Sequence, residues 1–321
     1  MEKVLVIGPF NAGMKNALNT AFADRFELEY ITSRDQYNRL SDADYVILRT
    51  LNLTAEDIAT MKKVKLIQRW GAGYDTVDVA AATQAKIPVA VCFGVNSVPV
   101  SEMAVALMLA AYRNVVPLTN SIQAGKWERE QYAPKSHTIS GKTVGIIGIG
   151  NIGRKVAAIC QAFGAEILYY DAFRMTPERE KELDVTFVPL DEIWGKCDII
   201  SLHVPLLDST VKMANRETFA KMKDGALFIN TAREELVDFD ALREALQSGK
   251  LCAAGLDAIE ESTMQSQPFH GIDNIVLTSH LGGNTADDAV QMAQRCADQI
   301  TAISEGKKLA APHAVNAEIW V

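Results

Sequence analysis

Three glycines, at positions 148, 150 and 153, form the pattern in this chain that points most directly to chemistry. They lie in the motif Gly-Ile-Gly-Asn-Ile-Gly, which follows the apolar run 144–147 and opens a stretch with helical spacing. We expect Gly148 to allow a tight turn, Gly150 to let a pyrophosphate approach the backbone, and Gly153 to let the helix pack on the strand. Backbone N–H groups at the start of that helix would bind the phosphates. The pattern therefore predicts a dinucleotide-binding site.

An aspartate stands where such a site recognises the ribose. Asp171 follows the strand-like run 166–170, near the spacing of about 20 residues beyond the glycines that these sites have. Its carboxylate would accept hydrogen bonds from ribose hydroxyls and repel a 2′-phosphate, which favours NAD over NADP. Arg174 lies close enough in the sequence to weaken that preference slightly. The alternative interpretation is a plain strand–turn–helix with a surface aspartate.

Three further polar side chains follow apolar runs that are typical of buried strands. Arg233, Asp257 and His280 each come shortly after a separate run of this kind. Ligands of open α/β sheets bind at the carboxyl ends of the strands, so these side chains form a plausible site. A guanidinium binds carboxylates in a planar fork, and an imidazole exchanges protons near neutral pH.

Strand-like and helix-like segments alternate along most of the chain. The first part has predicted strands at 4–7, 45–48, 64–67 and 89–91, with helical patterns at 12–22, 55–61 and 77–85. A long apolar helix is predicted over about 100–122. The second part has predicted strands at 144–147, 166–170, 199–203, 226–230, 252–256 and 274–277, and a last helix over about 285–303. This alternation predicts an α/β protein with mostly parallel sheets covered on both faces.

The balance of residue types is that of an ordinary globular protein. The chain has 321 residues, 48% hydrophobic and 22% charged, and this length favours two domains. The net charge of −8 argues against nucleic acid or an anionic membrane as the main partner. Five dispersed cysteines without a metal-binding spacing are typical of reduced thiols. No apolar run approaches the roughly 20 residues of a membrane span, and no signal peptide is recognised, so we expect a cytoplasmic protein without a metal site.

Taken together, these motifs resemble those of the D-isomer-specific 2-hydroxyacid dehydrogenases over nearly the whole chain. The matching segments are Trp70-Gly71-Ala72-Gly73-Tyr74-Asp75, 96–102, 145–153, Ser201-Leu202-His203-Val204-Pro205-Leu206, 230–233, Leu236-Val237-Asp238, Gly255-Leu256-Asp257 and His280-Leu281-Gly282-Gly283. The resemblance implies two doubly wound, Rossmann-like parallel-sheet domains, with the cofactor domain inserted into the substrate domain. We expect residues 1–98 and 285–321 to form the substrate domain and residues 99–284 the NAD-binding domain, with the active site in the cleft between them.

The resemblance also implies roles for individual residues. Arg233 would hold the substrate carboxylate and 2-oxo oxygen, and His280 would transfer a proton to and from that oxygen. Arg49 and the backbone of Ala72 and Gly73 would bind the substrate. The residues expected at the cofactor are Gly148, Gly150, Asn151, Ile152, Gly153, Asp171, His203, Pro205, Thr231, Ala232, Arg233, Asp257, His280 and Gly282. Asp257 would hold the nicotinamide amide, and His203 would line the cofactor without reacting.

One position departs from the family pattern. The family has a glutamate, five positions beyond the residue that matches Asp257, which pairs with the catalytic histidine; here that position is Ser262. Glu260 and Glu261 directly precede it. A slip of one residue in this loop favours Glu261 as the catalytic partner of the histidine, with Glu260 and Ser262 as the alternatives.

The resemblance implies an enzyme that transfers a hydride between NAD and a small 2-oxo or 2-hydroxy acid of the D series, such as a glyoxylate or hydroxypyruvate reductase. Two alternatives stay open. An NAD(H)-sensing corepressor of the same fold is compatible with the missing glutamate. The other alternative is a formate- or phosphite-type dehydrogenase, although no feature of the sequence points to it. We expect a homodimer formed through the cofactor domain, where the long helix beginning near Val100 and Trp127 beyond it offer apolar surface.

Overall fold

The computed structural model describes residues 1–320 and divides into two compact units. The first unit consists of Met1–Asn96 together with the chain from Gly283 onward. The second unit is the continuous segment Ser97–Gly282. The chain therefore leaves the first unit once, forms the second, and then returns to the first.

The first unit is built on a five-stranded parallel sheet. Its strands are β1 (Glu2–Ile7), β2 (Phe26–Ile31), β3 (Tyr45–Leu48), β4 (Leu66–Arg69) and β5 (Val89–Ala90), in the spatial order β2-β1-β3-β4-β5. Its helices are α1 (Ala12–Phe22), α2 (Ala55–Ala59), α3 (Val79–Gln84) and the last helix of the chain, α13 (Ala286–Ser304). Short 3₁₀ segments lie at Ala23–Arg25, Arg34–Asp42 and Ala317–Ile319.

The central strands of this unit are buried on both faces. Val4 and Val6 of β1 pack in a cluster with residues of α1 and α13. Leu5 and Ile7, which point to the other face, pack in a second cluster with residues of α2 and α3. Burial on both sides explains why residues 4–7 of β1 form an unbroken apolar run and do not alternate with polar residues.

The second unit is built on a seven-stranded parallel sheet. Its strands are β6 (Thr143–Ile147), β7 (Glu166–Tyr170), β8 (Thr186–Phe187), β9 (Ile199–Leu202), β10 (Ala226–Asn230), β11 (Leu251–Leu256) and β12 (Ile275–Leu277), in the order β12-β11-β10-β9-β6-β7-β8. Its helices are α4 (Ser97–Tyr112), α5 (Val115–Gln123), α6 (Arg129–Tyr132), α7 (Asn151–Ala162), α8 (Pro177–Leu183), α9 (Leu190–Lys196), α10 (Arg216–Lys221), α11 (Phe239–Gln247) and α12 (Glu261–Met264). Two 3₁₀ segments lie at Ala133–Lys135 and Glu234–Leu236.

The order of the strands determines where each sheet can bind a ligand. In the second unit β6 pairs with β7 on one side and with β9 on the other, so the direction of winding reverses at β6. Parallel strands leave a crevice at their carboxyl ends where such a reversal occurs, and ligands bind there. The loop after β6 carries the three glycines. In the first unit the reversal lies between β1 and β3, which places Gly8 and Arg49 at the corresponding position.

The predicted fold class, α/β with two doubly wound parallel sheets, is confirmed. The single long helix predicted over 100–122 was wrong, because the chain forms α4 and α5 with a break at Asn114. Asn114 has a φ of 51°, and its side-chain amide donates to Lys135 O and Ser136 Oγ, both at 3.2 Å. Asparagine tolerates this left-handed conformation better than most residues. The spacing of apolar residues does not reveal so short a break.

Two strands were not predicted, β2 and β8. Both lie at an edge of their sheet. Strand β2 carries Glu27 and Glu29, and charged residues are common on edge strands because one side of the strand faces solvent. The buried-strand pattern used for the central strands is therefore absent from their sequences.

The described residues, 1–320, contain no helix that combines the length and the apolar character needed to cross a membrane.

Candidate active site

The glycine loop, residues 148–153, is shaped by close approaches that leave no room for a side chain at Gly148 or Gly153. Gly148 has a φ of 97°, and a Cβ on it would lie 2.6 Å from His203 O. A Cβ on Gly153 would lie 2.1 Å from Gly148 O and 2.9 Å from Ile146 Cγ2, so helix α7 packs against strand β6 only with glycine at this position. A Cβ on Gly150 would meet nothing within 4 Å. The open space at Gly150 is where a pyrophosphate would approach the backbone at the start of α7.

Asp171 is fixed beside this loop at the end of β7. Its Oδ2 accepts a hydrogen bond from Ile149 N at 2.9 Å, and its Oδ1 accepts one from Phe173 N at 3.0 Å. Gly148 N donates to Tyr170 O at 2.8 Å, which joins the loop to the same strand end. The carboxylate predicted to bind the ribose is thus held by backbone amides next to the predicted phosphate site.

His203 and Thr231 follow two neighbouring strands, β9 and β10, and each has a buried polar atom without a hydrogen-bond partner among residues 1–320. These atoms are His203 Nδ1 and Thr231 Oγ1. The other ring nitrogen of His203 lies 2.9 Å from Ser201 Oγ, and burial lowers the pKa of His203 to about 3. The imidazole is therefore neutral at pH 7.

Arg233 lies in a turn that the side chain of Asn230 stabilises by hydrogen bonds. Asn230 is fully buried, its Oδ1 accepts from Ala232 N at 3.0 Å, and its Nδ2 donates to Arg233 O at 2.7 Å. The Arg233 guanidinium donates to Ala232 O at 2.7 Å. The arginine is half-buried beyond the carboxyl end of β10, the edge of an open α/β sheet where ligands bind.

The histidine loop, residues 278–282, is organised around the carboxylate of Asp257. This side chain is 1% exposed and accepts three hydrogen bonds: from Thr278 Oγ1 at 2.6 Å, Leu281 N at 2.9 Å and Gly282 N at 2.8 Å. A Cβ on Gly282 would lie 2.7 Å from Asp257 Oδ2. In addition, His280 N donates to Asp257 O at 2.8 Å. Asp257 therefore determines the conformation of the backbone that carries His280.

His280 itself has a φ of 53°, a left-handed conformation that is uncommon for a residue with a side chain. Strain of this kind concentrates at functional sites. Its Nδ1 lies 2.8 Å from Glu260 Oε1. The partner of the histidine is therefore Glu260, and the prediction of Glu261 is corrected by one residue, since Glu261 is instead the first residue of α12.

Glu260 is in this position because another carboxylate holds it. It is the residue that caps the start of α12, in an extended conformation. Its N–H donates to Glu234 Oε2 at 3.0 Å, and the Thr263 hydroxyl donates to Glu234 Oε1 at 2.8 Å. Glu234, which directly follows Arg233, thus binds both ends of the first turn of α12 and turns the Glu260 side chain toward the histidine.

In the first unit, the predicted substrate-binding residues lie after β3 and β4. Arg49 donates to Pro9 O and, at 3.0 Å, to Asn284 Oδ1, and burial lowers the pKa of its guanidinium. The turn that contains Ala72 and Gly73 is held by Arg69, whose Nε donates to Gly73 O at 2.9 Å. Arg69 is 7% exposed and also donates to Leu48 O at 2.8 Å, so it joins the ends of β3 and β4.

Comparison with known proteins places this geometry in a family. Residues 105–282 match the model of the D-isomer specific 2-hydroxyacid dehydrogenase family, NAD binding domain. The hydroxypyruvate reductase of Thermotoga maritima is 39% identical over 263 residues, which are 81% of this chain and 84% of that protein. The chain belongs to the D-isomer-specific 2-hydroxyacid dehydrogenase family.

Further relatives of this dehydrogenase differ in length. The D-3-phosphoglycerate dehydrogenase of Archaeoglobus fulgidus is 35% identical over 319 residues, and the chain spans 59% of the length of that protein. Among solved structures, the NAD-dependent formate dehydrogenase from Staphylococcus aureus in complex with NAD superposes with a TM-score of 0.87 at 26% identity. The match covers 98% of each chain.

The dehydrogenase is an NAD-dependent oxidoreductase, and its second unit has the features that fit this cofactor. Gly150 leaves space beside the first amides of α7, which belong to Asn151 and Ile152. The buried Nδ1 of His203 and Oγ1 of Thr231 would gain hydrogen-bond partners from a bound dinucleotide. A buried polar atom without a partner costs free energy, and a bound dinucleotide would remove that cost at these two positions.

Sequence reasoning missed three residues that shape the site: Asn230, Glu234 and Arg69. Asn230 had a recognisable signal, because a polar residue at the last position of an otherwise apolar strand needs a partner. Glu234 had none, since its partners lie 26 and 29 positions later in the chain. Arg69 ends a four-residue strand and lies just beyond the predicted strand 64–67, so the sequence drew no attention to it.

Proposed function

We propose that this dehydrogenase reduces a small 2-oxo acid of the glyoxylate or hydroxypyruvate type to the D-2-hydroxy acid, and catalyses the reverse oxidation. The observation that carries the proposal is the contact of 2.8 Å between His280 Nδ1 and Glu260 Oε1. It supplies the acid–base pair that the position of Ser262 had put in question. The relationship to a hydroxypyruvate reductase at 39% identity supports the substrate class.

In this proposal each residue of the second unit has a separate role in binding or proton transfer. Arg233 binds the substrate carboxylate through its planar fork and polarises the 2-oxo oxygen. His280 donates a proton to that oxygen, from Nε2 because Nδ1 is engaged by Glu260. The Glu260 carboxylate orients the imidazole for this transfer. NAD(H), when bound, accepts or supplies the hydride. Asp257 fixes the loop that carries His280, and is also proposed to contact the carboxamide of the cofactor.

The first unit contributes the remaining predicted contacts. The backbone of Ala72 and Gly73 is proposed to donate hydrogen bonds to the substrate carboxylate, with Arg69 keeping the turn in place. Arg49 is proposed to add positive charge there. Its guanidinium is already oriented by Pro9 O and Asn284 Oδ1. The domain roles follow: the first unit binds the substrate and the second binds NAD.

The acid–base pair also separates the proposal from its alternatives. A corepressor that only senses NAD(H) needs no proton donor, so the pair of His280 and Glu260 argues against that function. Oxidation of formate releases carbon dioxide and leaves no substrate oxygen to protonate or deprotonate. A strained histidine with a carboxylate partner is therefore better explained by reduction of a carbonyl.

The test measures NADH oxidation with a panel of 2-oxo acids that includes glyoxylate, hydroxypyruvate and pyruvate. NADH formation from formate and NAD is measured in parallel, to test the alternative. Turnover of at least one 2-oxo acid is expected. In the Arg233→Lys variant kcat/KM should fall on the order of a hundredfold, about 3 kcal/mol, because lysine keeps the charge but loses the fork. Arg243→Lys, which changes an arginine paired with Asp240 at the surface, is the matched control. Turnover of formate alone, or of no acid in the panel, would contradict the proposal.

We propose further that the protein is a homodimer whose interface includes α4 and α5. An apolar groove there is lined by Leu109, Arg113, Val115, Leu118, Thr119, Ile122 and Gln123. Ile122 is 53% exposed and Trp127 is 80% exposed, which is unusual for large apolar side chains in one region. Ile122→Asp should dissociate the dimer in light scattering, whereas Val290→Asp, at an exposed apolar residue of the first unit, should not. A single-chain mass for the unmodified protein at micromolar concentration would contradict the proposal.

A cytoplasmic location is proposed on the state of the thiols. All five cysteines are free, and no disulfide joins Cys92 and Cys296, although their sulfur atoms lie 3.5 Å apart. Free thiols are typical of reducing compartments. Recovery of the protein only outside the cytoplasm in cell fractionation would contradict this location.

A further inference from the structure

Next to the ribose-binding position, the structure holds an arginine in a two-point ion pair. Arg174 lies three residues after Asp171. Its Nε donates to Glu180 Oε1 at 2.8 Å, and its Nη2 donates to Glu180 Oε2 at 3.0 Å. Both donors on this side of the guanidinium are thus taken by one carboxylate on α8. The guanidinium carbon also lies 4.8 Å from the centre of the Phe187 ring.

The carboxylate that holds Arg174 is itself anchored in the unit. The Tyr169 hydroxyl donates to Glu180 Oε1 at 2.7 Å, and Met175 N donates to the same hydroxyl at 3.1 Å. Tyr169 is fully buried, and the Glu180 side chain is 12% exposed. The Arg174 side chain is 55% exposed, so it would be the mobile partner if the pair separated. An anchored carboxylate thus determines where the arginine lies.

Discrimination against NADP has two parts in sites of this kind. A carboxylate at the ribose repels a 2′-phosphate, and a nearby arginine would attract it. Asp171 supplies the first part. Arg174 is the only cation in the described segment 166–176, so it is the residue that would weaken the preference for NAD. Its guanidinium is instead engaged by Glu180.

We propose that Glu180 is a cofactor-specificity residue, because it withholds Arg174 from the 2′-phosphate that NADP would bring to the ribose site. The inference rests on the NAD site of the second unit and not on the identity of the acid substrate. The preference for NAD therefore depends on Asp171, which repels the phosphate, and on Glu180, which removes the cation that would offset the repulsion.

Arg154 provides an internal control. It lies on α7, where its Nε donates to Gly150 O at 3.2 Å and its Nη2 donates to Asn151 Oδ1 at 2.7 Å. These contacts are at the pyrophosphate end of the site, which NAD and NADP share. Arg154→Gln should therefore change the affinities for NADH and NADPH by the same factor.

The experiment measures the dissociation constants of NADH and NADPH by fluorescence titration at low salt, without an acid substrate. Glu180→Gln keeps an acceptor for Tyr169 but removes the charge that holds Arg174. It should strengthen NADPH binding several-fold and leave NADH binding unchanged. In the Asp171→Asn background, where the repulsion is gone, the same substitution should strengthen NADPH binding on the order of tenfold. Adding Arg174→Gln should abolish this gain.

A second comparison keeps the test decisive if Glu180→Gln lowers the stability of the protein. Arg174→Gln alone in the Asp171→Asn background should leave NADPH affinity unchanged, since Glu180 already withholds the arginine. Weaker NADPH binding in that variant would overturn the inference, as would a gain from Glu180→Gln that survives the loss of Arg174. Binding of neither dinucleotide would overturn the site and the inference with it. Binding without turnover of any 2-oxo acid would contradict only the proposed function.

Discussion

The glycine loop and the histidine loop lie at the carboxyl ends of strands in the same sheet, but their shapes have different origins. The glycine loop is shaped by missing side chains: a Cβ on Gly153 would lie 2.1 Å from a backbone oxygen. The histidine loop is shaped by a side chain, because three groups donate hydrogen bonds to Asp257. The first arrangement tolerates no added atom at Gly148 or Gly153, whereas the second depends on partners from distant parts of the sequence. Substitutions in the glycine loop should therefore act through steric clash, and those in the histidine loop through lost hydrogen bonds.

The largest effect is expected within the glycine loop itself, where two glycines should respond differently. Gly153→Ala should destabilise the protein by about 3 kcal/mol or more and abolish NADH binding, because helix α7 has to move away from β6. Gly150→Ala meets nothing within 4 Å, at a φ of −68° that alanine accepts, so stability should change by less than about 0.5 kcal/mol. Its NADH affinity should nevertheless fall by roughly tenfold or more, since the methyl group occupies the place of the pyrophosphate.

Chemical denaturation and NADH titration measure both quantities for each variant. Gly195→Ala, inside α9 of the same unit, is the control, because its Cβ would make an ordinary contact of 3.5 Å with Lys221 O. Unchanged NADH affinity in Gly150→Ala would mean that the open space serves another purpose. Equal loss of stability in the variants at 150 and 153 would remove the distinction between them.

A smaller effect is expected in the histidine loop. The Glu260 carboxylate contacts His280 Nδ1 and so orients the imidazole for proton transfer from Nε2. Glu260→Gln should weaken this contact, because a neutral amide is a weaker acceptor than a carboxylate. Since Glu260 and His280 are 55% and 38% exposed, we expect kcat/KM for reduction to fall by roughly fivefold, about 1 kcal/mol. NADH affinity should stay unchanged, because Glu260 acts through the histidine.

The matched control is Glu261→Gln, which changes the neighbouring carboxylate and should leave kcat/KM for reduction unchanged. Glu234→Ala should lower kcat/KM as Glu260→Gln does, because Glu260 loses its anchor. In the Glu260→Gln background it should cause no further loss. A loss with Glu261→Gln and none with Glu260→Gln would show that the contact of 2.8 Å is not the one used in catalysis.

The two loops also differ in how far the sequence predicted them. The spacing of Gly148, Gly150 and Gly153 corresponds to local contacts between a strand and the helix that follows it. A short sequence motif is therefore enough to predict the conformation of this loop. The central strands were similarly predictable from their apolar runs, because each is buried on both faces. Edge strands β2 and β8 lack that burial and were missed.

The partner of His280 could not be predicted from local sequence. Counting from Asp257 left Glu260, Glu261 and Ser262 as alternatives, and the one chosen was wrong by one residue. The deciding contact comes from Glu234, 26 positions before Glu260, which binds the amide of Glu260. A hydrogen bond over that separation has no periodicity or spacing that a single sequence reveals. The break at Asn114 was missed for a related reason, since its side chain binds Lys135 and Ser136.

Glu234 also limits how this protein can be redesigned. Grafting residues 258–264 from a relative would exchange the segment that carries the proton-transfer partner, but would leave Glu234 behind. If the donor loop had a proline at position 260 and no hydroxyl at position 263, the carboxylate would lose its two donors. It would then stand beside Arg233 as an uncompensated negative charge and compete with an anionic substrate for the guanidinium. Position 234 and the segment 258–264 therefore form one exchangeable module, although 23 residues separate them in the chain.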